Sequence, residues 1–301
     1  MTLSPTVAIG GGTGVPASPA GQPVTYTLNA GQVLQIQQQE RLIGSPIQAT
    51  GPIGVWGGSA CMHIPLSIAA CDSAHQQLMP IKALGNEYVG AQYRGRAGGV
   101  DESVYYTMVG AVAGTQLTWD PAPPPAAPAT IESGQWTALL TDQHFSVKIQ
   151  DLDHPFYLAT HMSGGDLAGT YGDPEYVNLI PPLQWLPKYL FVTDPTYGNT
   201  NLVFVRKKNP SGAFDDVTLD CAGVLTGWLP IGAGGQYELT RIDLCVYGAG
   251  QGACNNGVHT ASSNTPFGLT VWGWDPYVSY AYPSGASVEP INTVVVPPIP
   301  K

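Results

Sequence analysis

Residues 134–165 read GQWTALLTDQHFSVKIQDLDHPFYLATHMSGG, and the reading of this stretch decides the fold. Phe145, Val147 and Ile149 alternate with Ser146, Lys148 and Gln150, the period-two pattern of a half-buried strand. Gly134-Gln135 opens one strand and Pro155 begins another, at a first position where no ladder N–H is needed. The same pair stands at Gly31-Gln32, followed by Pro52 at the same interval, and at Gly235-Gln236, followed by Pro266 at a longer one. The surplus in the third case lies around CVYGAGQGAC, residues 245–254. Leu78-Met79-Pro80 precedes Tyr88 as Leu179-Ile180-Pro181 precedes Tyr189, and TQLTW at 115–119 matches VTLDC at 217–221.

These echoes predict an all-β chain of tandem β-sandwich-like units, built from an internal repeat of about one hundred residues and packed together. The expected division is an N-terminal extension (1–23), units at 24–119 and 120–220, a shorter unit at 221–286 completing the sheets, and a Pro-rich tail (287–301). Helical periodicity is nearly absent. Only ACDSAHQQLMPIKALG, residues 70–85, leaves room for a turn or two of helix, limited by Pro80. WDPAPPPAAPAT, residues 119–130, reads either as an extended interdomain linker or as a surface loop within one body.

Composition narrows the function. Only 11% of the 301 residues are charged, against roughly 25% in an average soluble chain. The chain has 37 Gly and 28 Pro, about twice the usual share. A net charge of −10 with 11 Lys and Arg and no basic cluster excludes nucleic acid and anionic membrane surfaces as partners. No apolar run is long enough to span a bilayer, so no membrane insertion is expected. The start, MTLSPTVAIGGGTG, lacks the charged and apolar regions of a signal peptide, and the expectation is a secreted or surface protein whose signal lies outside this sequence. Five cysteines occur, none in a C-x-x-C, which removes the zinc and thioredoxin readings. Cys61 and Cys71 bracket a short loop that a disulfide could close.

Chemistry-bearing patterns are sparse. The six His form no H-x-H or H-E-x-x-H arrangement. No G-x-S-x-G elbow or phosphate loop occurs, so no catalytic residue is assigned and an enzyme is not expected. One loop, SGGDLAGTYGDPEY (163–176), places Asp166, Asp173 and Glu175 on a Gly-rich backbone of the kind calcium prefers. Calcium is therefore the candidate cofactor. The other candidate is the aromatic stretch TPFGLTVWGWDPYVSYAYPSG, residues 265–285. Leu269, Val271 and Gly273 share one strand face and Thr270, Trp272 and Trp274 the other, so at most half of these rings are free to bind. Trp274, Asp275, Tyr277, Tyr280 and Tyr282 form the candidate ligand surface, with Trp274, Asp275 and Tyr277 expected to be the best exposed beside Pro276.

The motifs resemble a known family. GSPIQATGPIGVWGGSACMHIPLSIAACDSAHQQLMPIKALGNEYV (44–89), GDPEYVNLIPPLQWLPKYLFVTD (172–194) and GVHTASSNTPFGLTVWGWDPYVSYAYPSG (257–285) are similar, in order, to the blocks of the IgGFc-binding protein N-terminal domain family. The likeness runs from about Val24 to Gly285 and is nearest to bacterial members. It departs from the pattern at Ser73, where the family has His after C-D, and at Leu84, where it has Trp before Gly. The resemblance implies an extracellular, non-catalytic adhesion or binding module for a protein or glycan ligand. It also implies pairing of Cys61 with Cys71 and of Cys221 with Cys254, leaving Cys245 free. Taken alone, the residues leave Cys245–Cys254 open as a rival pair. Self-association into a surface assembly, and a carbohydrate-active enzyme, are the alternative expectations.

Overall fold

The computed structural model describes residues 1–97 and 101–296. Among these no α-helix occurs; strands are joined by turns and three short 3₁₀ segments, Ile81–Ala83, Gly165–Leu167 and Pro182–Gln184. Strands β1 (Thr2–Leu3), β2 (Val24–Thr25) and β3 (Ile47–Gln48) form a small N-terminal sheet, and β4 (Trp56–Met62) with β5 (Asp72–Gln77) a hairpin. The next eight are β6 (Glu87–Gly90), β7 (Val104–Gly110), β8 (Thr115–Asp120), β9 (Thr130–Ile131), β10 (Trp136–Thr141), β11 (Phe145–Ile149), β12 (Phe156–Met162) and β13 (Glu175–Asn178). They make two antiparallel sheets, ordered β10-β7-β12-β13 and β6-β11-β8-β9.

The last nine are β14 (Leu186–Val192), β15 (Asn199–Lys207), β16 (Val217–Leu219), β17 (Gly223–Val224), β18 (Leu229–Ile231), β19 (Tyr237–Val246), β20 (Ala249–Gly250), β21 (Val258–Asp275) and β22 (Val278–Pro283). Their pairing follows the same plan. β19-β15-β21-β22 parallels β10-β7-β12-β13, and β14-β21-β16-β17 parallels β6-β11-β8-β9. The 18-residue β21 does alone what β11 and β12 do together. Its first half pairs with β14 and β16, its second half with β15 and β22, and the β14–β21 register shifts where it changes sheet.

One tyrosine in each half locks this plan. The Tyr88 hydroxyl accepts from Gly85 N (3.3 Å) and donates to Phe156 O (2.8 Å). The Tyr189 hydroxyl accepts from Leu186 N (2.9 Å) and donates to Phe267 O (2.6 Å). Each ring meets its phenylalanine edge to face, at 4.7 and 5.0 Å. Each therefore joins the strand after a Pro-led turn to the residue that follows Pro155, at the start of β12, or Pro266, which lies in the middle of β21 and does not open it as expected, buried polar groups being satisfied in pairs.

The two halves share a core. Tyr88, Tyr106, Met108, Phe145, Val147 and Leu158 fill the first sandwich, and Leu202, Phe204, Leu219, Phe267, Leu269 and Val271 the second. The opposite face of β15 and β21, carrying Val203, Val205, Trp272 and Trp274, packs on Val89, Ala91 and Tyr93 beside β6. The middle sheet is thus apolar on both faces. Glu87 on β6 ties this junction, accepting from Lys148 (2.9 Å) and from Lys207 of β15 (2.8 Å).

Several local expectations change. Residues 70–85 hold β5 and one 3₁₀ turn, because Asp72–Gln77 extends along β4 instead of coiling. Residues 119–130 are a surface loop, since β8 and β9 pair directly on either side of it. β8 also pairs with β11, so hydrogen bonds cross the expected 119/120 boundary. After Gly31-Gln32 no strand forms. Leu34 and Ile36 turn into a small cluster with Leu3, Ile9 and Tyr26, but no neighbouring strand lies alongside to complete a ladder. β1, within the expected extension, pairs with both β2 and β3. Of the expected tail, residues 297–301 lie outside the described residues. The earlier part is fastened across both halves: Asn292 Nδ2 donates to Ile81 O and Leu84 O, and Ser287 N donates to Gln184 O.

Candidate functional site

The chain contains three Tyr-Gly dipeptides, Tyr171-Gly172, Tyr197-Gly198 and Tyr247-Gly248, and the fold brings all three to one end of the molecule. They come from the loop between β12 and β13, the loop between β14 and β15, and the turn between β19 and β20. With Thr196, Asn255, Asn256 and Asp275 they line a groove of about 400 Å³.

Backbone hydrogen bonds centred on Asp275 fix the arrangement. Gly172 N donates to Asp275 O (2.8 Å), Gly198 N to Asp275 Oδ2 (3.1 Å), and Gly248 N to Gly198 O (2.8 Å). A side chain at position 198 would place its Cβ 2.8 Å from Asp275 Oδ1, which explains the glycine after Tyr197. Gly172 and Gly248 sit at φ +71° and +80°, where glycine alone is unstrained. The tyrosine rings are thus carried on loops whose backbones are mutually tied. Tyr171 and Tyr247 stand 5.4 Å apart at 59°, and Tyr197 packs edge-on against Tyr280 at 4.7 Å.

The aromatic stretch and the acidic loop, separate in the sequence, meet here. Tyr277, at φ +55° in the β21–β22 turn and 47% exposed, donates to Asp166 Oδ1 at 3.3 Å. Ser279 Oγ donates to Asp173 O (2.7 Å), and Pro276 bridges Tyr171 and Gly172. Asp166 Oδ2 accepts from Ala70 N in the loop closed by Cys61 and Cys71. Leu66 of that loop and Leu167, next to Asp166 in the chain, are exposed.

Trp274 is not exposed, contrary to the expectation from its place beside a Pro turn. It is 1% exposed, between Tyr93 (6.1 Å) and the Arg94 guanidinium (5.1 Å), because both faces of its sheet are covered. Gly273 lies between the two tryptophans because the Tyr280 ring crosses it, 2.0 Å from where a Cβ would stand. Tyr280 and Tyr282 are half-buried. Tyr280 accepts from Asp194 N (3.0 Å), while Tyr282 accepts from Val192 N and donates to Val192 O, so both brace the loop that carries Tyr197.

Carboxyl groups gather at this end. Burial pushes the Glu175 carboxyl up to about 8. Burial also raises Asp173, with Asp72 and Asp166 adding to the rise against the Gly165 N–H and Arg96. Burial raises Tyr197 too, and Asp72, Asp194, Asp275 and Glu175 all push it further. Arg96 lies behind the groove. It donates to Tyr171 O and is paired with Glu102 through both terminal oxygens.

Among the described residues, two groups gather His, Cys, Asp or Glu ligand atoms within 4.8 Å: Cys61–His63–Cys71 and Asp220–Cys221–His259. Neither contains Asp166, Asp173 or Glu175. In both, the sulfur is held in a disulfide, Cys61–Cys71 or Cys221–Cys254, and offers no thiolate to a metal. Cys245 is the free, buried thiol, donating to Asn255 Oδ1 at 2.8 Å.

Of the candidates taken from the sequence, Asp275 lines this groove and Tyr277 stands beside it, while the lining residues Tyr171, Tyr197 and Tyr247 are not among them. The signal available was the Tyr-Gly dipeptide itself, since no other tyrosine of the 15 is followed by glycine.

Comparison with known proteins gives a consistent family. The model of the family described as IgGFc binding protein matches residues 1–273. The human (Homo sapiens) IgGFc-binding protein is 24% identical over 274 residues, which is 87% of this chain. The chain spans only 4% of the length of that relative. No solved structure matches. No helix of the described residues is long and apolar enough to cross a membrane.

Proposed function

The chain belongs to the IgGFc-binding protein family, and from that premise we propose that it is a non-catalytic protein-recognition module of an oxidising, extracellular compartment. Its contact surface in this reading is the loop end around Asp275. The observation that carries the reading is the convergence there of Tyr171, Tyr197 and Tyr247 on tied loops, with the exposed Tyr277 held beside them by Asp166 and by its N–H bond to Thr170 O. Tyrosine on a rigid loop contributes a large contact area at low entropic cost, and apolar rims on otherwise polar surfaces mark interfaces. Binding residues placed on loops by a rigid sheet scaffold fit the same picture. The two disulfides fit a compartment where such bonds persist. The Fc ligand in the human relative's name belongs to that protein and is one candidate here.

The test is surface plasmon resonance of the chain against purified extracellular proteins, IgG Fc among them, alongside a glycan array. Tyr277→Gly removes the ring at a position whose backbone favours glycine. The expectation is a protein ligand whose affinity drops roughly tenfold in this variant. Binding confined to glycans would overturn the reading. So would protein binding unchanged in Tyr277→Gly but abolished by Leu190→Lys on the far sheet face.

A further inference from the structure

We propose that the Tyr171–Tyr197–Tyr247 groove is built to receive a cationic side chain, an arginine of the protein partner, with Asp275 as its counter-charge. This rests on the reading of the loop end as a protein-recognition surface and specifies what that surface selects.

The argument begins with what lines the groove. Its titratable acid is Asp275, and no lysine or arginine is among its lining residues. Asp194 follows at the edge of the loop carrying Tyr197 and Asp72 lies beyond; burial, and then these carboxylates with Asp275, make the Tyr197 hydroxyl harder to ionise. An anionic ligand would meet only repulsion here. Behind the groove, Arg96 is committed to Glu102, Ser163 and Tyr171 O, leaving no free positive charge to compensate the carboxylates.

Acceptor capacity is also left over. Asn256 Nδ2 is engaged by Tyr197 O (2.8 Å), but Asn256 Oδ1 is buried and has no partner among the described residues. Asp275 takes a single N–H, from Gly198, on Oδ2. Asp275 therefore keeps acceptor capacity open in the groove, which a ligand bringing several N–H donors satisfies. A neutral sugar brings as many acceptors as donors. A guanidinium brings five donors and no acceptor.

The rings complete the match. A guanidinium over the face of tyrosine gains a cation–π attraction, strengthened where water is excluded, and its plane stacks on aromatic faces as an ammonium does not. The same chemistry already operates inside this chain: Arg206 lies 4.0 Å from the Trp228 ring centroid, and Arg94 lies 5.1 Å from that of Trp274. Tyr171 and Tyr247 pack against each other, tilted at 59° with centroids 5.4 Å apart, so a planar group would stack on an outer ring face, and the 64% exposed Tyr247 offers one.

The experiment uses the whole chain with ¹³C-labelled tyrosine rings, titrated with Nα-acetyl-arginine amide and with the neutral isostere Nα-acetyl-citrulline amide. The expected result is saturable shifts of the Tyr171, Tyr197 and Tyr247 resonances at millimolar arginine amide, weakened by salt and absent with citrulline. Asp275→Asn keeps an acceptor for Gly198 N while removing the charge, and should weaken binding roughly tenfold. Tyr247→Asn, an exposed position at φ +49° that asparagine tolerates, should weaken it several-fold with an unchanged melting temperature. Equal shifts with citrulline, undiminished binding in either variant, or identical shifts produced by calcium alone would each overturn the proposal. If arginine amide fails to bind while a protein ligand still depends on Tyr277, the cation assignment falls and the recognition surface stands.

Discussion

Glu175 offers the sharpest physical test of this fold. It sits on β13, 8% exposed, with Oε1 accepting the Tyr176 N–H at 2.8 Å and no cation beside it. Burial therefore raises its carboxyl from the ordinary 4.5 to about 8. The folded chain holds a proton that the unfolded chain releases, so this group's contribution is fully present below pH 4.5 and is lost as pH rises through 8. At about 1.4 kcal/mol for each pH unit separating the two states, the loss is on the order of 5 kcal/mol. The buried imidazoles His144 and His161 act in the opposite sense. Burial lowers each to about 4, so their contribution is present above 6.5 and fades as pH falls toward 4. Stability should accordingly peak near pH 6.5. Glu175→Gln keeps the acceptor for Tyr176 N and removes the titration. Urea unfolding of both proteins at pH 5, 6.5 and 8.5 checks the reasoning: the variant should match the wild type at pH 5 and exceed it progressively at higher pH. Parallel pH profiles for the two proteins would refute it.

Other consequences can be checked by denaturant unfolding or binding. Tyr88→Phe and Tyr189→Phe each strand a buried N–H and a buried C=O, at a cost of about 1–3 kcal/mol apiece; the double variant should lose the sum, because the two sites lie in different halves. Removing Cys221–Cys254, which spans 33 residues, should cost about 3–4 kcal/mol, and removing Cys61–Cys71, which spans 10, about 1 kcal/mol less. Trp274→Ala should lose about 3–5 kcal/mol by cavity formation in the shared core, whereas Tyr277→Gly should leave the urea midpoint within about 0.5 kcal/mol of wild type and change binding alone.

What the sequence disclosed and what it hid follow from the range of the interactions involved. Alternation in 145–150 and the Pro-led strand at 155 are local, and they predict the all-β class directly. Gly134-Gln135 and Gly235-Gln236 each precede a strand, and Tyr88 and Tyr189, each downstream of a Leu-x-Pro, make like hydrogen bonds. The same local signature at Gly31-Gln32 leads to no strand, because strand formation needs a neighbour and none lies beside Leu34 and Ile36. Trp274 shows the complementary failure. Period two assigns it to a face, but whether that face meets water depends on the other sandwich arriving from about 180 residues upstream, around Tyr93. The acidic loop and the aromatic stretch looked like independent candidates because Asp166 and Tyr277 are 111 residues apart.

The same long-range dependence makes the groove a property of the joined halves. Tyr171 comes from the first sandwich, and Tyr197, Tyr247 and Asp275 from the second. Asp275 directly follows Trp274, whose ring is clamped between Tyr93 and Arg94 of the first half. Its main chain holds Gly172 of the first half while its side chain holds Gly198 of the second. Burying Trp272 and Trp274 therefore does two things at once: it fuses the sandwiches and sets the register at which the three Tyr-Gly loops meet. Either half alone would expose an apolar sheet face and carry an incomplete groove, so the aromatic residues that build the site are chiefly those that never touch a ligand.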